Sequence, residues 1–136
     1  MATRSKTRSA QLAPSLVVLD SSCWLEYLMD TPRADLFSDL LDNPETLLVP
    51  VIIVYEVIKK IARELGDDIA SSALVLMQRS RVIEIDLPIC TQAWRNGLPL
   101  ADSLIYATAQ IHGAALWTQD QHFKGLADVQ YLDKST

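Results

Sequence analysis

Apolar positions along the chain form short continuous runs that alternate with longer stretches of helical spacing, and this alternation predicts the fold. Leu16-Val17-Val18-Leu19 is apolar throughout and too brief for a helix, so it predicts a first strand, with Asp20-Ser21-Ser22 behind it as turn and N-cap chemistry. Cys23 to Leu28 supplies the body of a helix that Thr31-Pro32 interrupts. Leu36, Phe37, Leu40 and Leu41 form the stripe of a second helix, which Asn43-Pro44 ends. Leu47-Leu48-Val49 predicts a second strand. From Pro50 the spacing of Val54, Val57, Ile58, Ile61, Ala62 and Leu65 is helical until Gly66, and Asp67 starts a fourth helix running to about Arg79.

Val82-Ile83-Glu84-Ile85 predicts a third strand, and a short helix follows from Pro88 to about Asn96-Gly97. The next helix starts near Pro99-Leu100, carries Leu104, Ala107, Thr108 and Ile111 on one stripe, and stops at Gly113. The run to Trp117 makes a fourth strand, and Val129 to Leu132 a fifth. Strands that alternate with helices and are apolar on both faces imply an α/β fold with a mostly parallel five-stranded sheet covered on both sides.

A chain of 136 residues suits one domain, expected over residues 16–136. Residues 1–15 hold Arg4, Lys6 and Arg8 but no acid and no apolar core, so they are expected to be a flexible basic extension and not a signal peptide. No apolar run approaches the roughly 20 residues that span a bilayer, so no membrane is expected and the cytoplasm is the expected compartment. Cys23 and Cys90 are expected to be reduced core thiols, and Trp24, Trp94 and Trp117 to pack in the core.

Of the net charge of −5, residues 1–15 carry +3 and leave −8 on the remainder. Such a surface disfavours general polyanion binding, so a nucleic-acid role would need a local basic patch, a bound cation or a second subunit. Lys59, Lys60, Arg63 and Arg95 outline such a patch.

The candidate chemistry lies in four acids at the borders of apolar elements: Asp20, Glu56, Asp102 and Asp120. Asp20 and Asp120 follow strands at the carboxyl edge of the sheet, where parallel folds bind ligands. Carboxylates brought together repel unless protons or a cation neutralise them, and a hard divalent ion with oxygen ligands does so. Three of the four acids also have an ordinary explanation. Asp20 can cap a helix, Glu56 can pair with Lys60 at i,i+4, and Asp102 can complement a helix dipole. For Glu56 the pattern favours the ordinary account, although an apolar first turn at Val51-Ile52-Ile53-Val54-Tyr55 suggests burial there. Asp102 shares its face with Ile105, Tyr106 and Ala109, so it is expected to face the interior. His112 and His122 are not spaced as ligands with each other or with the cysteines, so surface or capping roles are expected and zinc is not suggested.

The segment Ala101-Asp102-Ser103-Leu104-Ile105-Tyr106-Ala107-Thr108-Ala109, then Gly113, then Leu116-Trp117-Thr118-Gln119-Asp120-Gln121-His122-Phe123 resembles the PIN domain, in particular the toxin ribonucleases of VapBC toxin–antitoxin pairs. Val18-Leu19-Asp20-Ser21-Ser22 resembles the family's first motif and Val54-Tyr55-Glu56-Val57 its second. The resemblance covers roughly residues 16–132. It implies a three-layer fold with sheet order 3-2-1-4-5 and makes Asp20, Glu56, Asp102 and Asp120 the catalytic, metal-binding cluster for Mg²⁺ or Mn²⁺. Ser22 and Thr118 become nearby hydroxyls, and together with the basic patch of Lys59, Lys60, Arg63 and Arg95 read above they are expected to meet substrate. It further implies endonucleolytic RNA cleavage, a VapB-like antitoxin partner and a homodimer. A haloacid-dehalogenase phosphatase would need an acid where Ser22 stands, and a receiver domain would need adjacent acids at the first strand. An inactive PIN-like binding scaffold is the remaining alternative, and retention of all four acids weighs against it.

Overall fold

The computed structural model describes residues 15–134, and the expected basic extension lies, except for Ser15, outside the described residues. Five strands form one sheet in the order β3-β2-β1-β4-β5: β1 (Val17–Leu19), β2 (Leu47–Pro50), β3 (Arg81–Ile83), β4 (Ala115–Thr118) and β5 (Val129–Tyr131). Every neighbouring pair is parallel, so the sheet is wholly and not mostly parallel. A parallel pair cannot be closed by a hairpin, and helices make the crossovers. The helices are α1 (Ser21–Leu28), α2 (Ser38–Asp42), α3 (Val51–Leu65), α4 (Asp67–Met77), α5 (Leu87–Asn96) and α6 (Leu100–Ile111).

β1 lies at the centre, with Val17 paired to Leu47 on one side and to Ala115 on the other. All residues of β1 and β2 are buried, which requires cover on both faces. Leu19, Leu48, Ile53, Ile61, Met77, Ile105 and Leu116 supply the centre of the core, and Trp24, Phe37 and Phe123 fill its largest gaps. Helix α6 is buried around most of its circumference from Ile105 to Ala109, as its double apolar face predicts.

Several expectations are corrected. The second helix begins as a 3-10 turn (Ala34–Phe37) before α2, and α4 stops at Met77. β3 covers Arg81–Ile83, so Glu84 and Ile85 lie beyond it. Cys23 is buried, but Cys90 is exposed because it sits on the outer side of α5, whose inward residues are Ile89 and Ala93. Trp94, on that same outer side, is 78% exposed and not a core residue, whereas Trp24 is fully buried. Tyr55 is 62% exposed, so the first turn of α3 is not buried all round.

Candidate active site

The sheet order dictates where the acids meet. The chain leaves β1 toward β2 on one side and later returns to β4 on the other, which opens a crevice beyond the carboxyl ends of β1 and β4. Asp20 continues β1, its backbone N–H donating to the Trp117 carbonyl at 2.9 Å, and Asp120 follows β4. Helix α3 starts directly after β2 and brings Glu56 in on its second turn, while α6 brings Asp102 on its first. A cleft of about 240 Å³ is lined by Asp20, Ser21, Ser22, Glu56, Asp102, Gln119, Asp120 and Lys134. All four acids picked out by the sequence therefore share one cavity.

Asp20 is the most deeply held. Its Oδ1 accepts the Ser21 N–H at 2.9 Å, and its Oδ2 accepts the Thr118 hydroxyl at 2.7 Å. The same Thr118 oxygen accepts the Asp120 N–H at 2.9 Å, so one buried hydroxyl fixes both strand-end acids. Asp20 is also the N-cap residue of α1, and the capping and cleft roles coexist in one carboxylate. Burial pushes its carboxyl up from 3.8 to about 6, against the lowering effect of the Thr118 and Ser21 bonds, with Glu56 and Asp120 adding repulsion. Thr118 is wholly buried, its hydroxyl donating to the Asp20 carboxylate and accepting from the Asp120 backbone N–H.

Glu56 is raised above its usual range, first by burial and then by the charges of Asp102 and Asp120, while the Ser21 side chain works in the opposite direction. Its Oε1 is buried and has no hydrogen-bond partner. The ordinary explanation for this residue fails, because Lys60 turns away to Glu64, with Nζ 2.6 Å from the carboxylate. A buried carboxylate oxygen left without a donor is costly, and a cation in the cleft would relieve that cost. The donor set is all oxygen apart from His122, as a hard divalent ion requires, so the residues present fit Mg²⁺ or Mn²⁺.

His122 is the residue that the sequence reading missed. Its Nδ1 lies 2.7 Å from Asp102 Oδ2 and 3.4 Å from Asp120 Oδ1, and its backbone N–H donates to that same Asp120 oxygen at 2.9 Å. The hydrogen bond to Asp102 and the two negative charges raise its pKa. The available signal was its place two residues after Asp120, in a short 3-10 turn (Gln121–Phe123) that folds the imidazole back toward the cleft. Lys134, reaching the cleft from beyond β5, had no comparable signal.

A second cleft adjoins the first through Ser21 and Glu56, and Tyr55, Lys59, Lys60 and Arg63 line it. Lys59 Nζ stands 5.5 Å from the centre of the Tyr55 ring. Ser22 lines the acidic cleft, whereas Arg95, near the end of α5, is not among the residues around it.

The fold recurs in several solved structures. A toxin–antitoxin complex from Klebsiella pneumoniae superposes with a TM-score of 0.71 at 21% identity, over 84% of this chain and 95% of that one. VapBC2 from Rickettsia felis, bound to a DNA fragment from its promoter, gives 0.66 at 17% identity over 87% and 99%. Mycobacterium tuberculosis VapC20, a sarcin–ricin loop cleaving toxin, gives 0.65 at 16% identity over 83% and 98%. No curated protein sequence matches the chain. The PIN domain profile matches residues 17–129, which run from β1 to the first residue of β5 and include all four acids, and the chain belongs to the PIN domain family.

Proposed function

We propose that the protein is a divalent-metal-dependent endoribonuclease, the VapC-like toxin of a type II toxin–antitoxin pair. The observation that carries this reading is the convergence of Asp20, Glu56, Asp102 and Asp120 on one cleft in which a buried Glu56 oxygen lacks a partner. When bound there, Mg²⁺ or Mn²⁺ lowers the pKa of coordinated water and offsets charge on the phosphodiester. The chain's residues do the rest. Asp20, held rigid by Thr118 and Ser21, would hold the ion together with Glu56, Asp102 and Asp120, and Glu56, whose carboxyl is raised above its ordinary range by burial, would orient the attacking water and accept its proton. Water adds at phosphorus, the bond from phosphorus to the 3′ oxygen breaks, and the products carry a 5′-phosphate and a 3′-hydroxyl.

The adjoining cleft gives RNA an approach despite the net negative charge. Lys59 and Arg63 offer cations for phosphates, and the exposed Tyr55 ring offers a face for a base. Lys60 is compensated by Glu64 at 2.6 Å, and the more exposed Arg63 lies 3.9 Å from the same carboxylate oxygen. A VapB-like antitoxin would occupy the same approach, with a cationic side chain set against the carboxylates. The toxin–antitoxin complexes that share the fold support such a partner. A homodimer and a cytoplasmic location complete the reading, and no helix among the described residues is long and apolar enough to cross a membrane.

Purified protein freed of antitoxin, incubated with structured and single-stranded RNA, should cut with Mg²⁺ or Mn²⁺ and not with EDTA. Asp102→Asn should abolish cutting and leave the fold intact, since volume hardly changes. Equal cleavage by wild type and Asp102→Asn would refute the assigned site. Bound metal without cleavage of any RNA would favour a scaffold.

A further inference from the structure

We propose that His122 is a nitrogen ligand to the ion held by Asp102 and Asp120, and that it biases this site toward Mn²⁺ over Mg²⁺. The inference rests on the metal-centre reading above and names a ligand beyond its four acids.

The geometry comes first. One ligand atom from each of Asp102, Asp120 and His122 lies within 4.8 Å of the other two. Ligands about 2.1 Å from an octahedral ion and at right angles are roughly 3.0 Å apart. The imidazole nitrogen stands 2.7 Å from one carboxylate oxygen and 3.4 Å from the other, on either side of that spacing. With the two carboxylate oxygens within 4.8 Å of each other, the three groups surround one position that an ion could occupy.

The backbone holds the ring where this can happen. His122 lies between two anchors: its own N–H binds the Asp120 carboxylate, and the next residue, Phe123, is fully buried, with its ring 6.3 Å from that of Tyr106. The imidazole itself is exposed at the rim, open to an ion arriving from solvent. An ordinary surface histidine needs no such support.

The preference follows from donor chemistry. Mg²⁺ takes oxygen ligands and gives up its water reluctantly, whereas Mn²⁺, a transition ion, accepts an imidazole nitrogen in place of a water more readily. Replacing one water by nitrogen should favour Mn²⁺ and leave Mg²⁺ nearly indifferent to residue 122.

The test is pulsed electron paramagnetic resonance of the full chain, free of antitoxin and loaded with Mn²⁺, together with Mn²⁺ and Mg²⁺ affinities of wild type, His122→Ala and His122→Asn. We expect ¹⁴N modulation from a coordinated imidazole in the wild type, absent from both variants. Mn²⁺ affinity should fall at least about 10-fold in the variants, with Mg²⁺ affinity altered by less than about 2-fold. Mn²⁺ bound without ¹⁴N modulation would make His122 a hydrogen-bond partner of Asp102 only and overturn the inference, while the metal-centre reading stood. No Mn²⁺ bound by folded wild-type protein would overturn both. The wild-type spectrum decides the question even if a variant folds poorly.

Discussion

Replacing Asp20 by Asn should stabilise the metal-free protein at alkaline pH, and the size of the effect follows from the buried carboxylate. Its pKa of about 6, against an ordinary 3.8, means that the folded state holds the proton more tightly than the unfolded state. The associated stability is fully present below pH 3.8 and is lost as pH rises through about 6. The interval corresponds to ~3 kcal/mol at ~1.4 kcal/mol per pH unit. Asn cannot ionise, so it avoids that loss, although the Thr118 hydroxyl must rearrange at a cost of ~1 kcal/mol that does not vary with pH. The stability difference between Asp20→Asn and wild type should therefore shift by ~2 to 3 kcal/mol in favour of the variant between pH 4 and pH 8. Urea titrations in EDTA at several pH values measure it. Saturating Mn²⁺ at pH 8 should then stabilise wild type by ~2.7 kcal/mol at 100 times the dissociation constant and leave the variant nearly unchanged. A stability difference that is flat with pH would show that Asp20 titrates normally and refute the argument from burial.

Thr118→Val keeps the shape of the side chain but removes the hydroxyl that holds Asp20 and Asp120; it should cost ~1 to 3 kcal/mol in chemical denaturation and raise the Asp20 pKa further by NMR titration. Leu116→Ala, at a fully buried position on β4, should cost ~2 to 5 kcal/mol in the same assay while leaving the chemistry of the acids unchanged. Lys59→Ala with Arg63→Ala should weaken RNA binding and make its salt dependence shallower by roughly two charges, read from affinities between 50 and 200 mM salt. An unchanged slope would move the RNA path elsewhere.

Much of the fold was legible because β1, β2 and β4 are apolar on both faces and the glycines fall where helices stop: Gly97 ends α5 in the left-handed region at φ 68°. Asp20 and Asp120 were legible for the same reason, as acids placed where strands leave a parallel sheet. Partner choice was not legible. Lys60 has Glu56 one turn before it and Glu64 one turn after it, and spacing alone allows either pair. The fold settles the matter by drawing Glu56 toward the cleft and leaving Glu64 on the outer face. The approach of His122 to Asp102 across 20 residues was equally hidden, since it depends on how a turn after β4 sits against the first turn of α6. Trp94 and Cys90 misled for another reason. The large apolar type suggests burial, but only one side of α5 meets α6.

The hydrogen bond from Thr118 to Asp20 joins residues 98 positions apart, and the β1–β4 pairing beneath it is equally distant in the chain. On a ribosome adding 5 to 20 residues each second, Asp120 is made ~5 to 20 s after Asp20. Until then β1 has only β2 as a neighbour of its own sheet, and the carboxylates have no common cleft. The centre is thus completed only once β4 and the turn after it have been made, so a nascent chain that has not reached Asp120 lacks the four-acid geometry.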